Sequence, residues 1–140
     1  MSPSKDYQIH KAAGIIIQGR KLLVEKSYGK GFFLAPGGRV EPGETAKQAL
    51  ARELKEEFDI DTQETDFEFF DTFYDAAAGQ EHLRLREDVF MVKHWQGKPK
   101  PSSEVEMIAW IDTVAAEGMR IGSTFRQQLM PRLKVQGLID

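Results

Sequence analysis

Three glutamates and an arginine stand within six residues, Arg52-Glu53-Leu54-Lys55-Glu56-Glu57. Carboxylates are hard oxygen donors, and such ligands select Mg²⁺, Mn²⁺ or Ca²⁺ over zinc. On a helix the i, i+3 and i, i+4 spacings bring Glu53 alongside Glu56 and Glu57. A stretch rich in turn formers, Gly37-Gly38-Arg39-Val40-Glu41-Pro42-Gly43-Glu44, runs directly into this segment. A Gly-rich loop entering a helix offers backbone N–H groups and partial positive charge to an anion. Gly38 also lets the chain approach closely, which makes its carbonyl a candidate metal ligand.

The phase of the helix decides how these acids are read. Thr45 to Phe58 is rich in Ala, Leu, Lys, Gln and Glu, strong helix formers. At about 100° per residue, Ala46, Leu50, Leu54 and Phe58 form one apolar stripe that must face a core. With Leu50 at zero, Glu57 falls roughly 20° and Glu53 roughly 60° to the same side, with Glu56 following at roughly 120°. Glu53 and Glu57 therefore flank the buried stripe, away from Lys55 and Gln48. Carboxylates this close repel one another, and burying unpaired charge is costly. A divalent cation removes both penalties, and Arg52 then orients a ligand carboxylate. The simpler alternative is a solvated acidic face tied by an Arg52–Glu56 pair at i, i+4.

Gly38, five residues, Glu44, seven residues, then Arg52-Glu53-Leu54-Lys55-Glu56-Glu57 resembles the signature of the Nudix hydrolases. The resemblance implies that Glu53, Glu56 and Glu57, with the Gly38 carbonyl, bind the metals of a nucleoside-diphosphate-linked substrate. It further implies that Arg52 orients these groups and that Glu44 supports the loop–helix junction, with Gly37 structural beside it. The implied cofactor is Mg²⁺, with Mn²⁺ as the alternative. The implied fold is an α+β, Nudix-type α/β/α sandwich with a mixed sheet. One position departs from the pattern. Asp59 stands where the family usually has Gly, predicting a strained or altered helix end, since Asp tolerates the left-handed turn less well.

Around the motif the chain reads as alternating strands and loops. Ala12 to Gln18 is an apolar run, and Gln18-Gly19-Arg20 turns it into a second strand from Lys21 to Lys26. Ser27 to Gly31 reads as a loop and Gly31 to Ala35 as a short strand. Gly37, Gly38, Pro42 and Gly43 predict irregular chain up to the helix. Phe67 to Tyr74 is a strand with Phe67, Phe69, Phe70 and Phe73 mostly buried; Asp75 to Glu81 is a mobile loop. Arg84 to Trp95 is a long strand, Gln96 to Ser103 a second long loop, and Val105 to Ile111 a short strand. Gly122 to Val135 reads as a terminal helix capped by Ser123 or Thr124, bent or restarted at Pro131. Strands on both sides of a central helix give a mixed sheet with helices on its faces, one domain over residues 1–140.

Other residues are candidates for the substrate. Glu104, before Val105, is where a further acid serves as ligand or general base in the family; the alternative is a solvated loop end. Glu106 shares its neighbourhood. Arg84 and Arg86 alternate on a strand and so share a face, and with Lys26 they are candidates for substrate phosphates. Phe33 or Tyr74 is the choice for stacking on a base. His82 and His94 lack the spacing of a metal pair.

Composition narrows the partners. The formal charge of −3 argues against a general nucleic-acid or membrane electrostatic role, and with no cysteine there is neither disulfide nor thiol chemistry. Met1 to Gln8 lacks the apolar core of a signal peptide, and no stretch could span a bilayer, so a cytoplasmic location is expected. The expected function is a Mg-dependent pyrophosphohydrolase cleaving a phosphoanhydride of a nucleoside triphosphate, oxidised or not, as a monomer or homodimer. Hydrolysis of ADP-ribose, another nucleotide sugar or a capped diphosphate is the alternative. Such enzymes often carry an N-terminal element that the residues before Ala12 scarcely provide. A third reading is a non-catalytic nucleotide-binding regulatory module. The loops that would choose the substrate, 27–31, 75–81 and 96–103, carry no decodable motif.

Overall fold

The computed structural model describes residues 6–77 and 79–140. Residues 1–5, in the N-terminal stretch, and residue 78, in the expected 75–81 loop, lie outside the described residues. Two sheets form the centre. One has the order β4-β1-β6-β5, built from Gly37–Arg39 (β4), Ile9–Ile15 (β1), Gln80–Val92 (β6) and Phe67–Ala77 (β5). The other joins Ile17–Gln18 (β2), Lys21–Ser27 (β3) and Val105–Ile111 (β7). The first sheet is mixed: β1 runs parallel to β6 and antiparallel to β4.

Helix α1, Ala46–Phe58, covers one face. Its buried Ala49, Leu50, Leu54 and Phe58 pack with Ala12, Ile16, Leu23 and Phe90. Each such large side chain contributes about 1.5–3 kcal/mol by leaving water. The other face is covered from the C-terminal side, where Phe125, Leu129, Met130 and Leu133 pack on Ile15, Val24, Phe73 and Val89. Helices on both faces of the central sheets make the α/β/α arrangement expected. Among the described residues, no helix is long and apolar enough to cross a membrane.

Several local expectations need correction. Gly37–Arg39 is not irregular but pairs with β1, Lys11 opposite Arg39 and Ala13 opposite Gly37. Gly37 sits at φ 146, and a Cβ there would lie 2.1 Å from the Ala12 carbonyl oxygen. Glycine is thus what lets this short strand form. The expected strand at Gly31 to Ala35 reduces to single bridges, Glu25 with Leu34 and Phe33 with Ile121. Asp75 to Glu81 is largely strand, because β5 and β6 extend into a hairpin whose last pair is Ala77 with Gln80. Phe69 is exposed although it shares a face with buried Phe67: it lies on the edge strand β5 and meets Phe90 edge-on at 5.8 Å.

The C-terminal segment also differs. Phe125–Leu129 is one wide π turn, followed by α3, Met130–Val135. Pro131, without an N–H and with a ring that crowds the carbonyl four residues back, accounts for the break and restart. Ser123 and Thr124 do not cap it; their hydroxyls donate to Asp75 Oδ2 at 3.3 and 2.7 Å. A short helix unforeseen from the sequence, α2 at Thr113–Ala116, is capped by Asp112, which accepts from the Ala115 N–H at 2.9 Å.

Candidate active site

Helix α1 starts with a reciprocal cap. Thr45 Oγ1 accepts from the Gln48 N–H at 3.1 Å, and Gln48 Oε1 accepts from the Thr45 N–H at 3.0 Å. Its end is completed by Asp59, in the left-handed conformation at φ 54, whose N–H donates to the Leu54 and Lys55 carbonyls. Lys100 and Lys55 reach the Asp59 carboxylate at 3.2 and 3.3 Å. They hold its carboxyl below the usual range, Lys100 first. The departure from glycine is therefore accommodated by an ordered helix end, with two cations compensating the side chain. The chain beyond returns to the same helix end: the Lys100 N–H donates to the Phe58 carbonyl and the Ser102 N–H to the Glu57 carbonyl. That return places Glu104 beside the helix.

Arg52 ties the loop to the helix. Its Nε and Nη2 donate to the two carboxylate oxygens of Glu44 at 2.7 and 2.9 Å, a bidentate pair. Nη1 donates to Glu53 Oε1 at 2.8 Å, and Nη2 also reaches the Arg39 carbonyl at 3.1 Å. Glu44 accepts in addition from the Glu41 N–H at 3.0 Å. The guanidinium, then the Glu41 amide, bring the Glu44 carboxyl down to about 2. Hydrogen bonding to Glu44 and Glu53 outweighs partial burial and raises the Arg52 pKa.

On the inner side of the helix the balance reverses. Glu53 packs against Gly38 so closely that a Cβ there would lie 2.4 Å from the Glu53 carboxyl carbon. Glu57 is buried, and its Oε1 has no hydrogen-bond partner. Burial first, then the neighbouring charges of Glu53, Glu25 and Glu104, push the Glu57 carboxyl up to about 9. Glu25, from β3, is also buried and raised by burial, although Ser27 Oγ donates to its Oε2 at 3.0 Å. Glu25, Glu53, Glu57, Glu104 and Gly38 all line one cavity of about 470 Å³.

The donor set fits a hard divalent cation. A buried carboxylate oxygen lacks a partner, four carboxyl groups converge from a helix, a strand and a loop, and glycine leaves backbone accessible beside them. Among the described residues, no three metal-ligating side chains are drawn into a closed cluster.

The sequence-derived candidates divide. Glu53, Glu57, Glu104, Gly38 and Gly37 come together in the cavity; Glu44 and Arg52 brace it from outside. Glu56 is exposed and lies on the Arg52 side, 3.5 Å from Nη1, outside the cavity lining. Arg84 and Arg86 do share a face of β6, but the opposite one. They lie over the rings of Tyr74 and Tyr7, each at 5.6 Å, and Arg86 donates to Asp88 at 3.3 Å. Lys26 faces Glu106 at 3.6 Å and is likewise outside the lining. Phe33 packs into the core; its neighbour Phe32 lines the cavity. Glu25, Glu87 and Lys11 line it too and were not anticipated. A single acid within the apolar run of β3 was the only sign of Glu25.

Comparison with known proteins gives the family and the fold. Residues 8–133 match the NUDIX domain family. An 8-oxo-dGTP diphosphatase of Proteus vulgaris is 35% identical over 102 residues, 65% of this chain and 81% of that protein. One from Escherichia coli K12 is 38% identical over 64 residues, 46% of each chain. A solved structure of MutT, from work on Aliivibrio salmonicida and Vibrio cholerae, superposes with a TM-score of 0.72 at 26% identity. It covers 91% of this chain and 98% of that one.

Proposed function

This chain belongs to the NUDIX family and is a nucleotide pyrophosphohydrolase, and from that premise we propose that it hydrolyses a nucleoside triphosphate, including its C8-oxidised guanine form, to the monophosphate and pyrophosphate. The relatives named above carry the oxidised-guanine part of this reading. The observation that carries the reaction is the cavity itself, where the unpartnered Glu57 oxygen stands beside Glu53, Glu25 and Glu104.

Glu53 and Glu57, with the Gly38 carbonyl, would hold Mg²⁺, and Glu56 at the rim is the remaining family position. When bound, the ion neutralises the anhydride oxygens and acidifies coordinated water. Arg52 keeps Glu53 fixed by donating to Oε1, so that the carboxylate need not reorganise as charge develops. Glu104 is the proton acceptor for the attacking water, placed on a loop end that can adjust without distorting the helix. Glu44 holds the Arg52 guanidinium and stays ionised throughout the neutral range.

The test is release of pyrophosphate from a panel of nucleoside triphosphates and 8-oxo-dGTP, beside release of AMP and ribose 5-phosphate from ADP-ribose, all in Mg²⁺. Turnover of triphosphates with 8-oxo-dGTP among the better substrates is expected. Preference for ADP-ribose over every triphosphate would overturn the substrate assignment.

A further inference from the structure

The cavity extends beyond its carboxylate cluster along the exposed face of β1 and β6. Lys11 is the register partner of Arg39 on β4 on one side and of Glu87 on β6 on the other. Two strand spacings, about 10 Å, therefore separate the β4 edge, where Glu53 packs on Gly38, from Glu87. Both Lys11 and Glu87 line the cavity, with Phe32 and Gln80 nearby. Among the described residues, no hydrogen bond or ion pair engages either side chain, although both are half-buried by exposed surface. Glu87 is moreover shared with an adjoining crevice floored by Leu85 and Phe125. A cation and a carboxyl held side by side on rigid strands and left without partners are placed to meet a ligand.

We propose that Lys11 and Glu87 read the Watson–Crick edge of a guanine base whose phosphates lie at the carboxylate end of the cavity. The inference rests on the triphosphate hydrolase reading and deepens it. That edge of guanine presents an acceptor, O6, next to two donors, N1–H and the N2 amino group. The Lys11 ammonium supplies only donors and suits O6; an ionised Glu87 supplies only acceptors and suits the two N–H groups together. Adenine offers an acceptor at N1, and cytosine one at N3, where Glu87 needs a donor. Uracil and thymine keep a single N–H. The pattern therefore selects guanine. Because oxidation at C8 leaves this edge unchanged, the pair does not by itself distinguish oxidised from ordinary guanine. Burial raises the Glu87 carboxyl and Lys11 opposes that rise; in the complex, the two guanine N–H groups favour the ionised form by hydrogen-bonding to it.

Calorimetric titration of the four ribonucleoside 5′-monophosphates in Mg²⁺ tests the pair directly. The parent should bind GMP best. Glu87→Gln should weaken GMP by at least about tenfold, the discrimination typical of a bidentate contact. It should also narrow the GMP-to-AMP ratio, because the amide can donate to adenine N1 where a carboxylate cannot. Lys11→Met should weaken GMP several-fold without weakening AMP or CMP, whose amino groups cannot accept from an ammonium. Both variants should leave the ratio of 8-oxo-dGTP to dGTP turnover where it was. Equal binding of the four nucleotides by the parent overturns the inference, as does a GMP-to-AMP ratio unmoved by Glu87→Gln. If Glu87→Gln fails to fold, Lys11→Met decides. A parent that binds GMP selectively yet hydrolyses no triphosphate would sink the hydrolase reading and keep the base assignment; hydrolysis without base selectivity would do the reverse.

Discussion

Glu44 and Glu57 are the same residue type on two sides of one loop–helix unit, and the fold treats them oppositely. Glu44 is clasped by both donors of Arg52 and by the Glu41 amide, which hold its carboxyl at about 2. Glu57 is buried with an unpartnered oxygen among three other acids, and its carboxyl rises to about 9. On the outer side, charge is compensated within the protein and contributes rigidity. On the inner side compensation is withheld, which leaves the carboxyls to a ligand from outside. An enzyme site differs from a structural ion pair in this incompleteness, with strain placed where a cation is to enter.

The largest effect should come from the uncompensated side. Glu57→Gln is expected to lower Mg²⁺-dependent turnover by more than about 100-fold, beyond the usual loss from an outer-shell partner. The ion-free variant should melt close to the parent at pH 8, because the Glu57 carboxyl, raised to about 9, is already largely neutral there. Turnover within a few-fold of the parent would erase the contrast. On the compensated side, Arg52→Ala should cost roughly 10–100-fold in kcat/KM through misplaced Glu53. It should also let the Glu44 carboxyl climb back toward the ordinary range, as seen by carboxyl NMR titration.

A pH experiment sharpens the contrast further. The folded-state value of Glu57 lies above its unfolded one, so the folded protein holds the extra proton in between. Its contribution to stability is complete below the ordinary glutamate value, about 4.3, and is lost as pH rises through about 9. In EDTA, the melting temperature of the parent should therefore fall across that window relative to Glu57→Gln. Saturating Mg²⁺ should reverse the trend, because binding favours the deprotonated form. The smallest effect belongs to residues outside the cavity: Arg84→Ala, Arg86→Ala and Phe33→Leu should each keep kcat/KM within a few-fold. A large loss at Arg84 or Arg86 would mean that phosphates approach from the other face of β6.

What could be read from residues alone follows the strength of the periodic signal. The 3.6-residue stripe of α1 located Leu50, Leu54 and Phe58 and placed Glu57 beside them, as observed. The alternation of Arg84 and Arg86 correctly put them on one face. A period of two cannot say which face, and the side toward the cavity turned out to carry Glu87. The same parity explains why Phe32, not Phe33, lines the site. Gly37–Arg39 reads as a break because glycine disfavours strands; pairing with β1 overrides that propensity where only a glycine fits. The hairpin joining β5 and β6 was hidden by weak strand formers, Ala76, Ala77 and Gly79, whose pairing comes from the partner strand. Glu25 was invisible because one acid in Lys21–Ser27 shows no spacing, and only the fold brings it opposite α1.

The central claim is that the inner carboxyls are left unpaired to hold a divalent cation. Its most direct test is calorimetric titration of Mg²⁺ at pH 7.5 in buffers of different ionisation enthalpy. The parent should release about one proton as the ion binds, since Glu57 is protonated without it. Glu57→Gln should lose both the proton release and most of the affinity. Equal affinity in parent and variant, with no proton released by either, would contradict the account.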